Sequence, residues 1–305
     1  MGEHAFLKRL ESWYEKNYKK LLLITQVMLV LALMQIGYQV VTTGDFINRG
    51  IGLKGGITLT ISDSQKIDIT SLEKALDSSF PNNDISLRTL SQTGSFSGVV
   101  IEADFDIKDQ GVLDKTLSIV NQFYGKEIKD YSVENISSSL STGFFKQLAF
   151  ALVIAFLFMG TVVIITFRSW APSLMVILCS FSDIIETIAI VNLTGMKLGP
   201  AAIAAFLMLI GYSVDSDILL TTKVIKQKGG AIIQRIWRAF KTGITMNLTI
   251  IVAVIVGMIF TNSESIRQIM LITLIGTIID AFNTWIQNVA LLRWYQERKE
   301  HEPKS

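Results

Sequence analysis

The sequence predicts a membrane protein: a bundle of six transmembrane helices with one α+β domain inserted on the extracytoplasmic side. Half of the 305 residues are apolar, and the mean hydropathy is +0.44. Six apolar runs reach the length of roughly 20 residues that a helix needs to cross a bilayer. A mixed stretch of about 100 residues separates the first run from the other five and has the size of a small domain.

The apolar runs define the spans of the predicted bundle. They are residues 21–41, then 145–167, 171–193, 200–220, 240–260 and 269–292, so that 145–292 holds spans two to six. The first run follows a basic tail, residues 1–20, and resembles a signal anchor. It is longer than a signal-peptide core and lacks a small-residue cleavage site, so we expect it to be retained as the first span.

Basic residues in the short loops predict the orientation of the chain. Lysine and arginine cluster in the tail 1–20, in the loop between spans four and five, and in the C-terminal tail 293–305. The loops on the opposite side hold only Lys197 and Arg267. Because basic loops stay in the cytoplasm, both termini are predicted to be cytoplasmic in the cell membrane, with residues 42–144 outside.

The predicted outer domain, 42–144, alternates strand and helix signals. Period-2 alternation and turn residues indicate strands, and a capping box of Thr70 and Glu73 indicates a helix start. The predicted order is strand 57–61, a helix from Thr70, strand 84–90, a turn over 92–97, strand 98–105, helix 109–123 and strand 129–136. This βαββαβ order is typical of the ferredoxin-like fold, which hosts many functions and therefore indicates no activity by itself.

Four glycines lie where the first span leads into this domain: Gly50, Gly52, Gly55 and Gly56. Glycine permits backbone angles and close approaches that other residues do not. A phosphate-binding loop would be followed by a helix N-terminus, whereas here a strand follows. We therefore interpret 50–56 as a tightly packed hinge.

Charged residues interrupt the apolar spans. Asp183 and Glu186 lie in the third span, Asp215 and Asp217 in the fourth, and Asp280 in the sixth, while Lys241 lies where the fifth begins. A carboxylate in hydrocarbon costs at least ~2.5 kcal/mol and usually marks an ion, proton or substrate path. Intramembrane polar pairs contribute only ~0.6–2 kcal/mol each, so a purely structural role explains one or two of them at most.

The candidate proton-relay residues are therefore Asp215, Asp217, Lys241, Asp183 and Asp280. Residues two apart on a helix point roughly 200° apart, so only one of Asp215 and Asp217 can face a given groove. Asp217 and Lys241 lie at a similar depth and are placed to pair. Asn283 and Gln287 share a helix face with Asp280. Which aspartate would carry the ion, and whether that ion is H⁺ or Na⁺, stays open at this stage.

Other function classes find little support in the sequence. Its two histidines, His4 and His301, lie in opposite tails, and the single cysteine, Cys179, lies within a span. No nucleophile–base set and no metal-ligand spacing appears, so we expect no enzyme activity, no metal and no cofactor. The net charge of +2 is unevenly divided, and the outer domain is acidic. Nucleic acid is therefore not an expected partner.

Several short motifs, weak singly, resemble one family in combination. They are the glycine-rich segment 50–56 (GIGLKGG), the intramembrane 211–217 (GYSVDSD), Phe167–Trp170 (FRSW) after the second span, and Gly276–Thr277 in the sixth. The chain resembles the SecF branch of the SecD/SecF protein-export family, which belongs to the resistance-nodulation-division superfamily of proton-driven transporters. The resemblance covers nearly the whole chain, and the Val-Asp-Ser-Asp version is more similar to archaeal members.

The resemblance implies a subunit of the Sec export machinery that works with SecD beside the SecY channel. It implies coupling of the proton gradient to late steps of preprotein translocation, with the outer domain contacting unfolded preprotein. The chain departs from the family pattern at Gly52 and Leu53, which stand where bacterial members have Asp and Phe. It also departs at Ser216, where they have an acid, and at Lys241, where they have arginine.

Two alternatives remain open at the level of the sequence. One is half of a proton-driven small-molecule efflux transporter, which would need a partner because such pumps have two six-span repeats. The other is a non-conducting scaffold of the translocon. A scaffold predicts that the charged residues are replaceable as long as the complex assembles.

Overall fold

The structure, a computed structural model, describes residues 2–301 apart from 82, 93–94, 106–109, 227–230 and 262. Its strands are β1 Gly56–Ile61, β2 Ile85–Gln92, β3 Ser95–Ala103 and β4 Tyr131–Ile136. Its α-helices are α1 Gly2–Thr43, α2 Ile51–Lys54, α3 Ile69–Ser79, α4 Gln110–Tyr124, α5 Ser138–Phe167, α6 Trp170–Leu193, α7 Pro200–Ile225, α8 Ile232–Phe260, α9 Glu264–Phe282 and α10 Val289–His301. A π-helical turn, Asn283–Asn288, joins α9 to α10.

Six helical segments within the described residues are long and apolar enough to cross a membrane. Each contains one of the six predicted spans, which confirms the multi-pass prediction. The observed segments are Lys16–Thr43, Leu140–Phe167, Trp170–Leu193, Pro200–Ile225, Ile232–Phe260 and Ser265–Arg298. The predicted N-terminal tail is helical from Gly2 onward, because it contains no proline and many good helix formers such as Lys, Glu and Leu.

The helices differ in how deeply they are buried in the bundle. About two-thirds of the apolar window of α6 is buried and more than half of that of α7, against 11% for α5 and 17% for α1 and α8. The helices α6 and α7 therefore form the centre of the bundle, and α9 packs against both. Side chains that point inward from these three helices meet in a protein interior rather than in lipid.

The α+β domain contains one four-stranded antiparallel sheet with strand order β2-β3-β1-β4. Alternate residues of the strands, such as Leu59 and Ile101, pack with Leu72 of α3 and Val120 of α4 in an apolar core. The element order of the sequence analysis is thus confirmed. The hairpin turn predicted over 92–97 is shorter than expected, because β2 extends to Gln92 and β3 begins at Ser95. Residues 93–94 lie outside the described residues.

The capping box assigned to Thr70 and Glu73 is wrong. The helix α3 begins at Ile69, and Asp68 is its N-cap residue. The Asp68 carboxylate accepts hydrogen bonds from the backbone N–H groups of Thr70 and Ser71. Because a carboxylate caps a helix N-terminus at least as well as threonine does, the chain begins the helix one residue before the predicted cap.

The glycine-rich segment is closely packed between the two parts of the molecule. It forms the short helix α2 and then passes through Gly55 and Gly56, whose φ angles are +90° and +138°. A Cβ added at Gly56 would collide with the backbone oxygen of Ala103, and one at Gly52 would lie 3.0 Å from Pro200 Cδ. Glycine is therefore required here by contact and conformation, and the role of 50–56 as a hinge stays a prediction.

Candidate functional site

Three aspartates meet inside the bundle, one from each of the helices α6, α7 and α9. Asp183 and Asp217 are fully buried, and Asp280 is 2% exposed. We call these three residues the acid cluster. Hydroxyl and amide side chains from the same helices, from α8 and from the π-helical turn surround it. Asp183 lies near the middle of α6, and Asp280 lies near the middle of the spanning segment Ser265–Arg298, far from either end.

Asp183 is held by two neutral donors. The Ser213 hydroxyl on α7 donates to Asp183 Oδ2 at 2.5 Å, and Asn283 Nδ2 donates to Asp183 Oδ1 at 2.9 Å. Asn283 Nδ2 also donates to Glu186 Oε2 at 3.0 Å. The π-helical turn therefore connects the acid cluster to a fourth buried carboxyl group, one turn along α6 toward the α+β domain.

Asp217 and Asp280 share one hydroxyl. Thr284 Oγ1 lies 3.1 Å from Asp217 Oδ1 and 3.2 Å from Asp280 Oδ1. Asn288 Nδ2 donates to Asp217 at 2.7 Å, and Asn247 Nδ2 on α8 donates to Asp280 at 3.2 Å. A threonine hydroxyl has a single proton, so it can donate to only one of the two carboxyl groups at a time.

The surroundings of the acid cluster are neutral. Its hydrogen-bond donors are neutral serine, threonine, asparagine and cysteine side chains. No ion pair among the described residues includes Asp183, Asp217 or Asp280. If all three carboxyl groups of the acid cluster were ionised, they would repel one another, because the protein interior screens charge poorly. The cluster is therefore suited to take up small cations.

Acceptor atoms without donors lie at the same place. Within the described part of the chain, the side-chain oxygens Asn283 Oδ1, Asn288 Oδ1 and Glu186 Oε1 are buried and have no hydrogen-bond partner. Cys179 Sγ and carboxylate oxygens of Asp183 and Asp217 lie within 4.8 Å of one another, close enough to hold a metal ion. The sequence analysis expected no metal, and that expectation stays a prediction.

The other two relay candidates lie elsewhere. Asp215 is exposed on α7, as the 200° separation from Asp217 requires, and Lys241 is exposed on α8. The expected pairing of Asp217 with Lys241 is wrong, because Asp217 turns inward onto Thr284 and Asn288. Both side chains are described, and Lys241 points away from the bundle interior.

Most of the neutral donors around the acid cluster are not among the residues predicted from the sequence. Ser213 is not among the predicted site residues, yet its hydroxyl donates to Asp183. Thr284 and Asn288 received no role. One signal was available: the six residues of 283–288 include four polar side chains inside an otherwise apolar span. Such a density of polar groups in a span indicates a functional surface.

A second polar cluster ties the α+β domain to the bundle, and we call it the junction. Asp84 Oδ1 lies 2.5 Å from Lys197 Nζ, in the loop between α6 and α7, and Asp84 Oδ2 lies 3.0 Å from Lys54 Nζ. Partial burial raises the pKa of Asp84, but the hydrogen bonds from Lys197 and Lys54 outweigh it, and the net pKa lies below the ordinary value. The Lys197 backbone oxygen accepts in turn from Gln268 on α9.

Comparisons with known proteins identify the family of this chain. Residues 116–298 match the family model described as protein export membrane protein SecD/SecF, C-terminal. The chain is 33% identical to the SecF of Methanocaldococcus jannaschii over 92% of this chain and 96% of that protein. It is 31% identical to the SecF of Pyrococcus furiosus over 98% of both. The chain belongs to the SecF family.

Solved structures of SecDF show the same fold. The chain superposes on the crystal structure of the translocon-associated SecDF from Thermus with a TM-score of 0.67 and 15% identity. It superposes on a super-membrane-facing form of SecDF with a TM-score of 0.52 and 17% identity. In each case about nine-tenths of this chain is covered, but only 38% of the SecDF chain. As a SecF-family protein, the chain is an accessory membrane subunit of Sec protein export, with several spans.

Proposed function

We propose that this SecF-family chain couples an ion gradient, in the first instance of protons, to late steps of preprotein translocation. It does so together with a SecD partner and beside the SecY channel. The observation that carries the proposal is the acid cluster: three carboxyl groups, at most 2% exposed, held only by neutral donors. Both termini are cytoplasmic in the cell membrane, and the α+β domain is extracytoplasmic.

The energetic balance supports a functional role for the acid cluster. Each buried acid costs at least ~2.5 kcal/mol to insert, whereas each intramembrane hydrogen-bonded pair contributes only ~0.6–2 kcal/mol. Apolar side chains of similar volume would hold the three helices together at lower cost. A cluster kept at this cost is explained by a role that needs carboxyl groups.

The shared hydroxyl of Thr284 supplies a two-state element. When a cation neutralises Asp217, the Thr284 proton is free to serve Asp280, and the reverse holds when Asp280 is neutralised. Moving one charge through 100 mV releases ~2.3 kcal/mol, which is enough to bias a two-state equilibrium about fiftyfold. The π-helical turn that carries Thr284 is a geometry often found at functional sites.

The motion reaches the α+β domain through the junction. The helix α6 carries Asp183 and leads into the loop of Lys197, which binds Asp84 of the domain. The helix α7 carries Asp217 and begins at Pro200, which packs against Gly52. A shift of α6 against α7 therefore changes the position of the α+β domain relative to the bundle. The exposed surface of this domain contacts emerging unfolded preprotein.

The partner covers the exposed charges of the bundle. Asp215 and Lys241 are exposed on α7 and α8 within spanning segments, where lipid contact would be costly. A SecD subunit, which forms a pseudo-symmetric half, buries this face. The Thermus SecDF chain is long enough to contain such a half, since this chain covers 38% of it.

We also assign the α+β domain to the ferredoxin-like class. Its order of elements is βαββαβ, and its antiparallel sheet has the strand order β2-β3-β1-β4. Both helices, α3 and α4, contribute to the core on one face of the sheet. Two strand–helix–strand units with a central β1–β3 pair are the defining arrangement of that class.

The test is export in membrane vesicles that contain this chain and its SecD partner, with an imposed ion gradient. Asp217→Asn, Asp183→Asn and Asp280→Asn are expected to lose the gradient-dependent part of export while the partner still co-purifies. Asp215→Asn, the matched variant on the same helix, is expected to weaken co-purification instead.

Two outcomes would contradict the proposal. Gradient-dependent export that survives all three cluster variants would leave only a scaffold, since a scaffold tolerates neutral replacements that still assemble. Co-purification with an efflux-type partner, and no effect on export, would favour small-molecule transport.

A further inference from the structure

Three buried threonines lie above and below the acid cluster and have no hydrogen-bond partner. They are Thr273 and Thr277 on α9, each 2% exposed, and Thr221 on α7, which is fully buried. Their Oγ1 atoms have no partner among the described residues. An unpaired buried hydroxyl costs ~1–3 kcal/mol, so three at one site are unusual.

Other threonines in the helices behave differently. A threonine within a helix normally donates its hydroxyl to the backbone oxygen three or four residues earlier. Thr25 does so toward Leu22 at 3.0 Å, and Thr187 does so toward Asp183 at 2.6 Å; both are equally buried. The hydroxyls of Thr273, Thr277 and Thr221 are therefore left available for a group that is not part of the helix.

The three threonines continue the polar faces that carry the acid cluster. Along α9 and into the π-helical turn, Thr273, Thr277, Asp280 and Thr284 follow at spacings of four, three and four, which places them on one helix face. On α7, Asp217 and Thr221 are four apart and lie above one another. At ~1.5 Å per residue, Thr277 lies about 4.5 Å from Asp280 along the axis, and Thr221 about 6 Å from Asp217.

The three threonines and the acid cluster form a row of polar side chains, and each end of this row is close to an edge of the bundle. A cavity of about 440 Å³ separates the sheet from the domain-side ends of α7 and α9, and Gln268 and Leu271 line it. Thr273 lies only ~3 Å deeper than Leu271 along the helix axis, although it points away from the face that lines the cavity. At the opposite end, α7 stops at Ile225, only four residues beyond Thr221.

We infer that Thr273 and Thr277 line the outer half of an ion route and Thr221 lines its inner half, with the acid cluster between them. A hydroxyl both donates and accepts, so it can pass a proton or ligate a small monovalent cation. The inference rests on the proposed ion coupling and deepens it. It names the side chains through which the ion reaches and leaves the acid cluster.

The first test is ion flux in proteoliposomes that contain the chain with its SecD partner. Thr277→Val, Thr273→Val and Thr221→Val keep the shape of the side chain and remove the hydroxyl. Each is expected to lower flux at least tenfold, about 1.4 kcal/mol in barrier height. The buried control Thr25→Val is expected to retain flux, and Thr277→Ser to restore it. Separate pH- and Na⁺-sensitive dyes show which cation moves.

The flux results distinguish a failure of the threonine route from a failure of the proposed ion coupling. If the wild type carries neither ion, both are overturned. If Asp217→Asn abolishes a wild-type flux that all three valine variants retain, the coupling stands and the route is wrong.

A second measurement does not depend on flux. With Cys179 replaced by serine, single cysteines at 277, 221 and 25 are exposed to a charged, membrane-impermeant thiol reagent. We expect Thr277→Cys to react only from the side of the α+β domain, Thr221→Cys only from the opposite side, and Thr25→Cys from neither. Reaction at 277 and 221 no faster than at 25 would overturn the inference, because the three threonines would then be dry packing residues.

Discussion

The acid cluster and the junction treat carboxyl groups in opposite ways. At the junction, Asp84 is about one-third exposed and lies within 3.0 Å of two lysine ammonium groups. In the acid cluster, Asp183 and Asp217 are fully buried and, among the described residues, accept hydrogen bonds from neutral side chains only. A basic partner would stabilise a carboxylate most in the buried acid cluster, yet the acid cluster has no such partner among the described residues.

The difference teaches which acids hold the structure and which are kept exchangeable. A carboxylate paired with lysine stays ionised and fixes a distance, which suits a mechanical link between domain and bundle. A carboxyl group surrounded by neutral donors can bind and release a cation without breaking an ion pair. In the proposed function, the same side chain therefore has two roles, decided by whether a fixed cation stands beside it.

The largest predicted effect disturbs the backbone where the chain enters the α+β domain at β1. Gly56→Ala places a methyl group against the backbone oxygen of Ala103 at a φ of +138°. Strain and collision together should cost roughly 3 kcal/mol. Hydrogen exchange of β1 in the full chain should become much faster. Gly111→Ala, at a helical position with open space, is the control and should not accelerate it.

The next prediction disturbs the packing beside the acid cluster. A Cβ at Gly276 on α9 would lie 2.6 Å from both terminal carbons of Leu209 on α7. Gly276→Ala should cost about 1–3 kcal/mol and lower the melting temperature in detergent. Adding Leu209→Ala should recover part of the loss because it removes the colliding atoms. Gly211→Ala, with open space on α7, should change little, and an equal loss there would contradict the packing argument.

A third prediction compares the two regions directly through the same substitution. Asp84→Asn removes two lysine contacts and should lower the stability of the full chain by up to ~1 kcal/mol after solvent screening. Asp217→Asn removes a buried acid that has no basic partner among the described residues. The melting temperature should therefore stay unchanged or rise. If both substitutions lowered it equally, the distinction between holding and exchangeable acids would be lost.

The smallest predicted effect is the pH dependence of the junction. Because the pKa of Asp84 lies below its ordinary value of 3.8, the stabilisation is fully present above that value. It is lost as the pH falls through the lower pKa of the folded protein. Protease cleavage of the α6–α7 loop should rise at such acid pH in the wild type. Asp84→Asn should show the higher rate already near neutral pH, and the difference between the two curves isolates Asp84.

Much of this protein was determined by its sequence alone. The six spans, the βαββαβ order and the glycine-rich segment all follow from local properties: apolar run length, periodicity and the freedom of a residue without Cβ. These signals lie within a few consecutive residues and do not depend on distant contacts. Asp183, Asp217 and Asp280 are identified for the same reason, because a charged residue within an apolar run can be recognised from the sequence alone.

Only the tertiary structure decided which of the charges act together. Asp215 and Asp217 have the same sequence environment, yet one is exposed and the other fully buried. The pairing of Asp217 with Lys241 failed because similar depth says nothing about the rotation of two helices around their axes. Thr284 contacts Asp217 across 67 residues of chain and also contacts Asp280. Contacts of this kind depend on helix packing, which is set by the fit of whole surfaces rather than by any local pattern.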